Sequence, residues 1–124
     1  MYLDNCRAER AEAERAMAQA PAREAKLVQG WFADTVPGFR PAEPIAVLRL
    51  DGDWYESTLE CLRGLYPLVM QGGLVLVDDY YDWVGCSRAV HDYLSERKLE
   101  DRIRQSRGGV CHLVKSGPCA WTAG

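Results

Sequence analysis

The stretch Ile45-Ala-Val-Leu-Arg-Leu-Asp51 is a nearly continuous apolar run that ends in an acid. Such a run is typical of a strand that is buried on both faces of a sheet. The pattern recurs in Leu74-Val-Leu-Val-Asp-Asp79, which follows a turn predicted at Gly72-Gly73. Two buried strands, each ending in carboxylates, are therefore the centre of the predicted fold.

Helices and further strands are predicted on both sides of these runs. Ser57-Thr-Leu-Glu60 has the spacing of a capping box and predicts the start of a helix with its leucines on one face. A second helix is predicted over about residues 87–97. Shorter apolar runs predict further strands at Ala25–Val28, near Ile103 and over Val110–Val114. The alternation of strands and helices indicates an α/β fold with a mostly parallel sheet and helical crossovers.

The chain is predicted to have three segments. Residues 1–25 are rich in Ala, Glu and Arg and predict a helical N-terminal segment that Pro21 ends. Residues 26–115 hold the strands and helices, with a proline-rich connector over residues 37–44. Residues 116–124 are predicted to be a tail.

Composition excludes several classes of protein. The 124 residues are enough for one domain, and the formal charge of −3 offers no general attraction for nucleic acid or an anionic membrane. No apolar run approaches the roughly 20 residues that span a bilayer, and the charged N-terminal residues do not resemble a signal peptide. The five cysteines are odd in number and show no C-x-x-C spacing, which argues against disulfides and a zinc site. We therefore expect reduced thiols and a cytoplasmic protein.

The acids at the strand ends are the candidate site. Ligands bind at the carboxyl ends of the strands of an open α/β sheet, so Asp51, Asp78 and Asp79 should converge if their strands are neighbours. Three converging carboxylates repel one another unless a cation or protons intervene, and oxygen ligands without His or Cys suit Mg²⁺, Mn²⁺ or Ca²⁺. The alternative is that these acids only cap the helices that follow and stay solvated. The residues by themselves leave both readings open.

A set of ordered motifs over about residues 26–115 resembles the macrocin-type O-methyltransferases, which methylate sugars of macrolide and aminocoumarin antibiotics. The motifs are Leu27-Val-Gln-Gly-Trp-Phe-Ala-Asp-Thr-Val-Pro37, Ile45-Ala-Val-Leu-Arg-Leu-Asp-Gly-Asp-Trp-Tyr-Glu-Ser-Thr58, Leu65-Tyr-Pro67, Gly72-Gly-Leu-Val-Leu-Val-Asp-Asp-Tyr80 and Gly85-Cys-Ser-Arg-Ala-Val90. Each strand-plus-acid piece alone is a weak signal. Their order and spacing together make the resemblance specific.

The resemblance implies a Rossmann-like fold and transfer of a methyl group from S-adenosylmethionine to the hydroxyl of a sugar or glycoside. It implies Mg²⁺ bound by Asp51, Asp78 and Asp79, with Asp51 also as the general base. Gly30 and Trp31 fall in the region where the cofactor's adenine would lie. Trp54, Tyr55 and Tyr80 stand beside the acids, where they either face a sugar or pack. His91 and His112 match no catalytic position of the family and are interpreted as structural.

The chain departs from the family in one respect. It contains no Gly-x-Gly, whereas the family has a glycine-rich turn after its first strand that lets the backbone approach the cofactor. We therefore expect the metal and acceptor half of an active site, lacking the first strands and inactive alone. The exposed sheet edge that remains would pair with a complementing N-terminal half or with another copy of the chain, as a homo-oligomer.

Other functions remain open at this stage. The Asp51-x-Asp53 pattern also resembles the nucleophile strand of phosphohydrolases of the haloacid dehalogenase type, although Tyr55 stands where that motif prefers Thr or Val. An Asp-x-Asp glycosyltransferase site would leave Asp78-Asp79 unexplained. A non-catalytic remnant domain is the remaining alternative.

Overall fold

The computed structural model describes residues 9–19 and 25–123. These residues divide into two compact units, one ending at Trp31 and the other beginning at Phe32. The predicted helix at the N-terminus falls in the first unit as α1, Arg10–Gln19, which buries no residue and carries an exposed ion pair between Arg10 and Glu14 at 2.8 Å. Pro21 lies outside the described residues. The strand predicted at Ala25–Val28 is wrong, because these residues have no regular secondary structure.

The second unit is a four-stranded sheet with helices. Along the chain its elements are α2 (Phe32–Thr35), β1 (Ile45–Leu50), α3 (Tyr55–Leu65), a 3₁₀ turn (Tyr66–Leu68), β2 (Val69–Val77), α4 (Val84–Glu96), β3 (Arg104–Gln105) and β4 (Cys111–Val114). The order of strands across the sheet is β1-β2-β4-β3. No helix of the described residues is long and apolar enough to cross a membrane.

The sheet is mixed, which corrects the prediction of a mostly parallel sheet. β1 and β2 are parallel, whereas β4 is antiparallel to both β2 and β3. The connections explain this difference. The helix α3 carries the chain back between β1 and β2, so these two strands are parallel. No helix separates β3 from β4, and the short turn between them can join only antiparallel strands. The predicted α/β class holds, and the two strands that end in acids are the parallel pair.

One face of the sheet is buried and the other is open. Two rows of register neighbours, Leu48–Val75–Leu113 and Leu50–Val77–Cys111, lie in a single core with buried side chains of α3 and α4. The next row on the opposite face is Val47–Leu74–Val114, and Val47 there is 57% exposed. β1 is therefore buried on one face only, contrary to the prediction, because α3 and α4 both pack on the face that carries Leu48 and Leu50.

Two local predictions also change. The helix α3 begins at Tyr55 rather than at Ser57, and the side chain of Trp54 at its N-cap makes no capping hydrogen bond. Gly72 and Gly73 lie within β2, where the pairing with β1 is irregular, and do not form a turn before it. A Cβ on Gly73 would come within 2.8 Å of the Met70 carbonyl oxygen, so glycine is required at this irregularity. The helix predicted over residues 87–97 is confirmed as α4.

Residues 116–123 pack back on the turn that follows α3. The Ala120 N–H donates to the Pro67 carbonyl at 2.8 Å, and the Cys119 thiol donates to the Leu68 carbonyl at 3.3 Å. Lys115 is buried, and its ammonium donates to three carbonyls at the same place, those of Tyr66, Pro67 and Val69. This cation adds a donor to the carbonyls of the turn that follows α3.

Candidate metal centre

The ends of β1 and β2 bring three carboxylates together. Asp51 follows β1, and Asp78 and Asp79 follow β2. The backbone N–H of Asp78 donates to the Leu50 carbonyl at 2.9 Å, so the parallel ladder continues into the acids themselves. One carboxylate oxygen from each of Asp51, Asp78 and Asp79 lies within 4.8 Å of the others. The convergence expected from the sequence is present; their role as metal ligands stays a prediction.

The three acids differ in exposure. The side chain of Asp51 is 49% exposed and that of Asp78 is 31% exposed, whereas Asp79 retains only 9% of its surface. Asp79 Oδ2 is buried and has no hydrogen-bond partner among the described residues. An unpaired buried carboxylate oxygen is costly, so this atom is suited to bind a cation or a proton.

Asp53 is a fourth acid at the site, which the sequence analysis named only for the alternative functions and not for the metal site. Its backbone has φ +62°, a left-handed conformation that is uncommon outside glycine, and the turn is held by the Trp54 N–H donating to the Gly52 carbonyl at 2.6 Å. The pKa of Asp79 is raised to about 7, first by burial and then by the neighbouring carboxylates of Asp53 and Asp51. The spacing Asp51-x-Asp53 could have indicated that Asp53 lies near the cluster. The positive φ of Asp53, however, is set by the turn and could not be read from the sequence.

Arg49 is a second residue that the sequence analysis missed. Its guanidinium lies 3.5 Å from Asp51 Oδ2 and 3.3 Å from Asp78 Oδ1, on the solvent side of the cluster. Side chains two apart on a strand share a face, so Arg49 and Asp51 follow from the alternation of β1 once its open face is known. Arg49 offsets part of the charge of the exposed acids but makes no ion pair with Asp79 among the described contacts.

The donor set fits a small divalent cation. Mg²⁺ binds oxygens at about 2.1 Å in octahedral geometry, so ligands on opposite sides are about 4.2 Å apart. The three carboxylate oxygens lie within 4.8 Å of one another, so they need to approach only slightly to reach this spacing, and the unpaired Asp79 oxygen is available as a further ligand atom. No His or Cys belongs to the cluster, which disfavours zinc.

The aromatic residues beside the acids divide into two kinds. Tyr55 donates its hydroxyl to Asp92 Oδ2 at 2.7 Å, and the Tyr80 hydroxyl lies 2.7 Å from His91 Nε2. Both tyrosines therefore bond to side chains of α4, as packing residues would, and the structural role of His91 stays a prediction. Trp54, in contrast, remains largely exposed. His112 lies 2.5 Å from the Ser106 hydroxyl, and its structural role likewise stays a prediction.

A cavity of about 130 Å³ lies next to Asp51 on the helical side of β1. Its walls are mostly apolar, and Thr58 contributes a buried hydroxyl without a hydrogen-bond partner among the described residues. Pockets that hold drug-sized ligands occupy about 300–1,000 Å³. This cavity is therefore too small to hold a molecule the size of S-adenosylmethionine.

Gly30 and Trp31, expected near the cofactor, lie at the end of the first unit. Gly30 has φ +140°, a backbone conformation that residues with a side chain rarely adopt. Trp31 is highly exposed. Their assignment to the cofactor stays a prediction.

Comparisons with known proteins point to one family. The profile of the macrocin O-methyltransferase (TylF) family matches residues 19–111. Over 84 residues the chain is 45% identical to an 8-demethyl-8-(2,3-dimethoxy-α-L-rhamnosyl)-tetracenomycin-C 4'-O-methyltransferase of Streptomyces olivaceus. Over 86 residues it is 45% identical to the demethyldecarbamoylnovobiocin O-methyltransferase of Streptomyces niveus.

Solved structures give the same picture. The O-methyltransferase NovP matches 87% of this chain with a TM-score of 0.79 and 33% identity. CalS11, a TDP-rhamnose 3'-O-methyltransferase of calicheamicin biosynthesis, matches 70% of it with a TM-score of 0.58 and 27% identity.

Coverage of the relatives is partial. The alignments take in 67% and 68% of this chain but only 31% and 32% of the two Streptomyces enzymes, and 45% of NovP. The family profile nevertheless matches most of the sequence, including both strand-and-acid motifs. The chain belongs to the macrocin O-methyltransferase family.

Proposed function

We propose that this chain forms the metal- and acceptor-binding part of an enzyme that transfers a methyl group from S-adenosylmethionine to a hydroxyl of an antibiotic sugar. The observation that carries the proposal is the cluster of Asp51, Asp78 and Asp79 at the ends of two parallel strands, with one buried Asp79 oxygen unpaired. Family membership supports the reaction type, since methyltransferases of this family use S-adenosylmethionine.

The sheet is interpreted as the second half of a Rossmann-like methyltransferase sheet. Two features support this reading: β1 is an edge strand with no partner on its outer side among the described strands, and the Val47–Leu74–Val114 row lies on an open face. An exposed edge next to an apolar face is prone to pairing with another chain. We propose that the amino-terminal part found in longer relatives, or failing that a second copy of this chain, covers both. We further propose a cytoplasmic location, since the four cysteines in the described part of the chain are free thiols.

Mg²⁺ fits the carboxylate cluster, where it would lower the pKa of a bound sugar hydroxyl and orient it. Asp51, Asp78 and Asp79 would hold the ion, with Asp79 the most buried of the three. Asp51 is half exposed, so an acceptor hydroxyl can reach it, and we assign it the role of general base. As the hydroxyl oxygen takes the methyl group, Asp51 takes its proton. The products are a methyl ether and S-adenosylhomocysteine. Gly30 and Trp31 are proposed to contact the cofactor.

Metal binding tests the proposal directly. We expect isothermal titration calorimetry to detect Mg²⁺ or Mn²⁺ binding by the chain, and we expect the double variant Asp78→Asn, Asp79→Asn to abolish it. Asp82→Asn is the matched control, because Asp82 is an exposed acid on the turn after Asp79. Equal binding by the double variant and the control would contradict the assignment.

Activity assays separate the proposal from its alternatives. Methyl transfer from labelled S-adenosylmethionine to a desmethyl sugar should require the chain together with the amino-terminal part of a longer relative. Turnover of an aryl phosphate would favour the phosphohydrolase reading. Absence of both metal binding and methyl transfer in the complemented protein would leave the non-catalytic remnant.

A further inference from the structure

Two tryptophans form an exposed pair at the candidate metal centre. Trp54 is 58% exposed and Trp83 is 43% exposed, yet their ring centroids are only 5.6 Å apart with an angle of 44° between the planes. Large aromatic side chains are usually well buried, because they remove the most apolar surface from water. Two of them side by side on the surface indicate a binding role.

The backbone ties both tryptophans to the acidic segments. The Trp54 N–H donates to the Gly52 carbonyl at 2.6 Å, next to Asp51, and the Trp83 N–H donates to the Asp79 carbonyl at 3.0 Å. Each indole is thus one short turn from a carboxylate of the cluster. A molecule whose hydroxyl reaches Asp51 would extend over this part of the surface.

Trp54 and Trp83 occupy helix N-cap positions, but neither is a residue type that caps a helix. Trp54 is the N-cap of α3 and Trp83 is the N-cap of α4, both with extended backbone and neither with a side-chain capping bond. Ser, Thr, Asp and Asn are strongly preferred there because their side chains bond the free N–H groups of the first turn. Tryptophan cannot replace that bond, so helix formation does not explain its presence at either site.

Close packing of the two helix starts brings the indoles together. A Cβ added to Gly85, in the first turn of α4, would lie 3.1 Å from the backbone nitrogen of Tyr55, the first residue of α3. A side chain at this position would require the start of α3 to move by a few tenths of an ångström. The pair of tryptophans is therefore a consequence of how α3 and α4 start beside the acids.

We propose that Trp54 and Trp83 form a stacking platform for the sugar ring of the acceptor, an inference that rests on the proposed function. A pyranose ring has an apolar C–H face, which stacks on the π-face of an indole while its hydroxyls point elsewhere. The platform binds the neutral ring and presents its hydroxyl edge to the carboxylate cluster.

The test uses the whole chain and methyl α-L-rhamnopyranoside, because two of the relatives carry rhamnose in their names. Saturation-transfer difference NMR should show transfer from aromatic protein resonances to the sugar C–H protons. Trp54→Ala and Trp83→Ala should each weaken binding about five- to tenfold, whereas Trp54→Phe and Trp83→Phe should weaken it less than about threefold. Trp121→Phe is the matched control, because that indole donates to the Pro41 carbonyl and lies in the carboxyl-terminal segment.

Several results would overturn the platform. They are the absence of rhamnoside binding by the wild-type chain, unchanged affinity in both alanine variants, and a change in oligomeric state in those variants, which would assign the pair to self-association. Binding of naphthol but not of the rhamnoside would assign it to an aromatic aglycone instead. Circular dichroism checks that the variants are folded, and the phenylalanine variants keep the test valid if an alanine variant is not.

Manganese titration separates this inference from the proposed function. Trp54→Ala and Trp83→Ala should keep wild-type Mn²⁺ affinity, since neither indole is a metal ligand. If the wild-type chain binds the rhamnoside through the tryptophans but binds no metal, the proposed function fails and the platform stands. If metal binds and the rhamnoside contact is insensitive to the tryptophans, the reverse holds.

Discussion

Replacing Asp79 with asparagine should stabilise the metal-free protein at neutral and higher pH. Burial, Asp53 and Asp51 raise the pKa of Asp79 from 3.8 to about 7 in the folded chain. Between these values the folded state binds one more proton than the unfolded state, so the free energy of unfolding falls as the pH rises. Above about pH 7 the loss is complete. Asparagine carries no charge and should not show it.

The size of the effect follows from the shift. One pKa unit corresponds to about 1.4 kcal/mol, so the full shift of the Asp79 pKa is worth about 4 kcal/mol. Solvent beside the half-exposed Asp51 screens part of the repulsion, so we expect Asp79→Asn to raise the free energy of unfolding by about 2–4 kcal/mol. Magnesium should reverse the order of the two proteins. At a concentration 100 times its dissociation constant, Mg²⁺ should raise the free energy of unfolding of the wild type by about 2.7 kcal/mol. Asp79→Asn should gain little of this stabilisation.

Urea unfolding followed by circular dichroism measures both effects. The curves are recorded from about pH 4.5 to about pH 8, once with EDTA and once with MgCl₂. The difference between wild type and Asp79→Asn should be small at the acidic end and grow with pH in EDTA. Asp82→Asn, an exposed acid on the same turn, should follow the wild type throughout. A pH-independent difference between wild type and Asp79→Asn would refute the reasoning.

Three further variants test the surroundings of the site and the core. Arg49→Met removes a cation that forms ion pairs with Asp51 and Asp78 and so competes with a metal ion for them. Calorimetry should therefore show Mn²⁺ affinity rising about two- to fivefold. Lys115→Met removes an ammonium that donates to three carbonyls. Pro67 keeps the Ala120 N–H and Tyr66 keeps the Val69 N–H as donors, so we expect the free energy of urea unfolding to fall by about 1–3 kcal/mol. Burial opposes ionisation of Asp101, but hydrogen bonds from Ser116 and Tyr66 outweigh it, so the pKa of Asp101 is lowered. The ionised Asp101 therefore stabilises the fold above about pH 4, and this stabilisation is lost as the pH falls further. Asp101→Asn should flatten that acid limb of the stability curve.

Opposite results have definite meanings. Weaker Mn²⁺ binding by Arg49→Met would show that the arginine positions the acids instead of competing for them. Wild-type stability of Lys115→Met would mean that water replaces the ammonium at the end of α3. An unchanged acid limb in Asp101→Asn would assign acid unfolding to other carboxylates.

Local patterns were sufficient for the main elements. The apolar runs at residues 45–50 and 74–77 predicted strands because neighbouring residues along one strand decide whether it can be buried. The same locality explains the errors. Ser57 to Glu60 matched a capping box, but packing of α3 against α4 extends the helix to Tyr55, and Gly72-Gly73 was interpreted as a turn when it is an irregularity inside β2.

The sequence by itself determined the acids at the strand ends, the α/β class and the family, because each depends on residue types at fixed spacing. Only the tertiary structure decided which faces and charges meet. In the tertiary structure β4 is antiparallel to β2 and the sheet face that carries Val47 is open. Arg49 and Asp53 both lie beside the acids of the cluster. One oxygen of Asp79 is buried and unpaired. The reason is physical: spacing along the chain determines what a strand carries, whereas burial and ion pairing depend on its neighbours across the sheet.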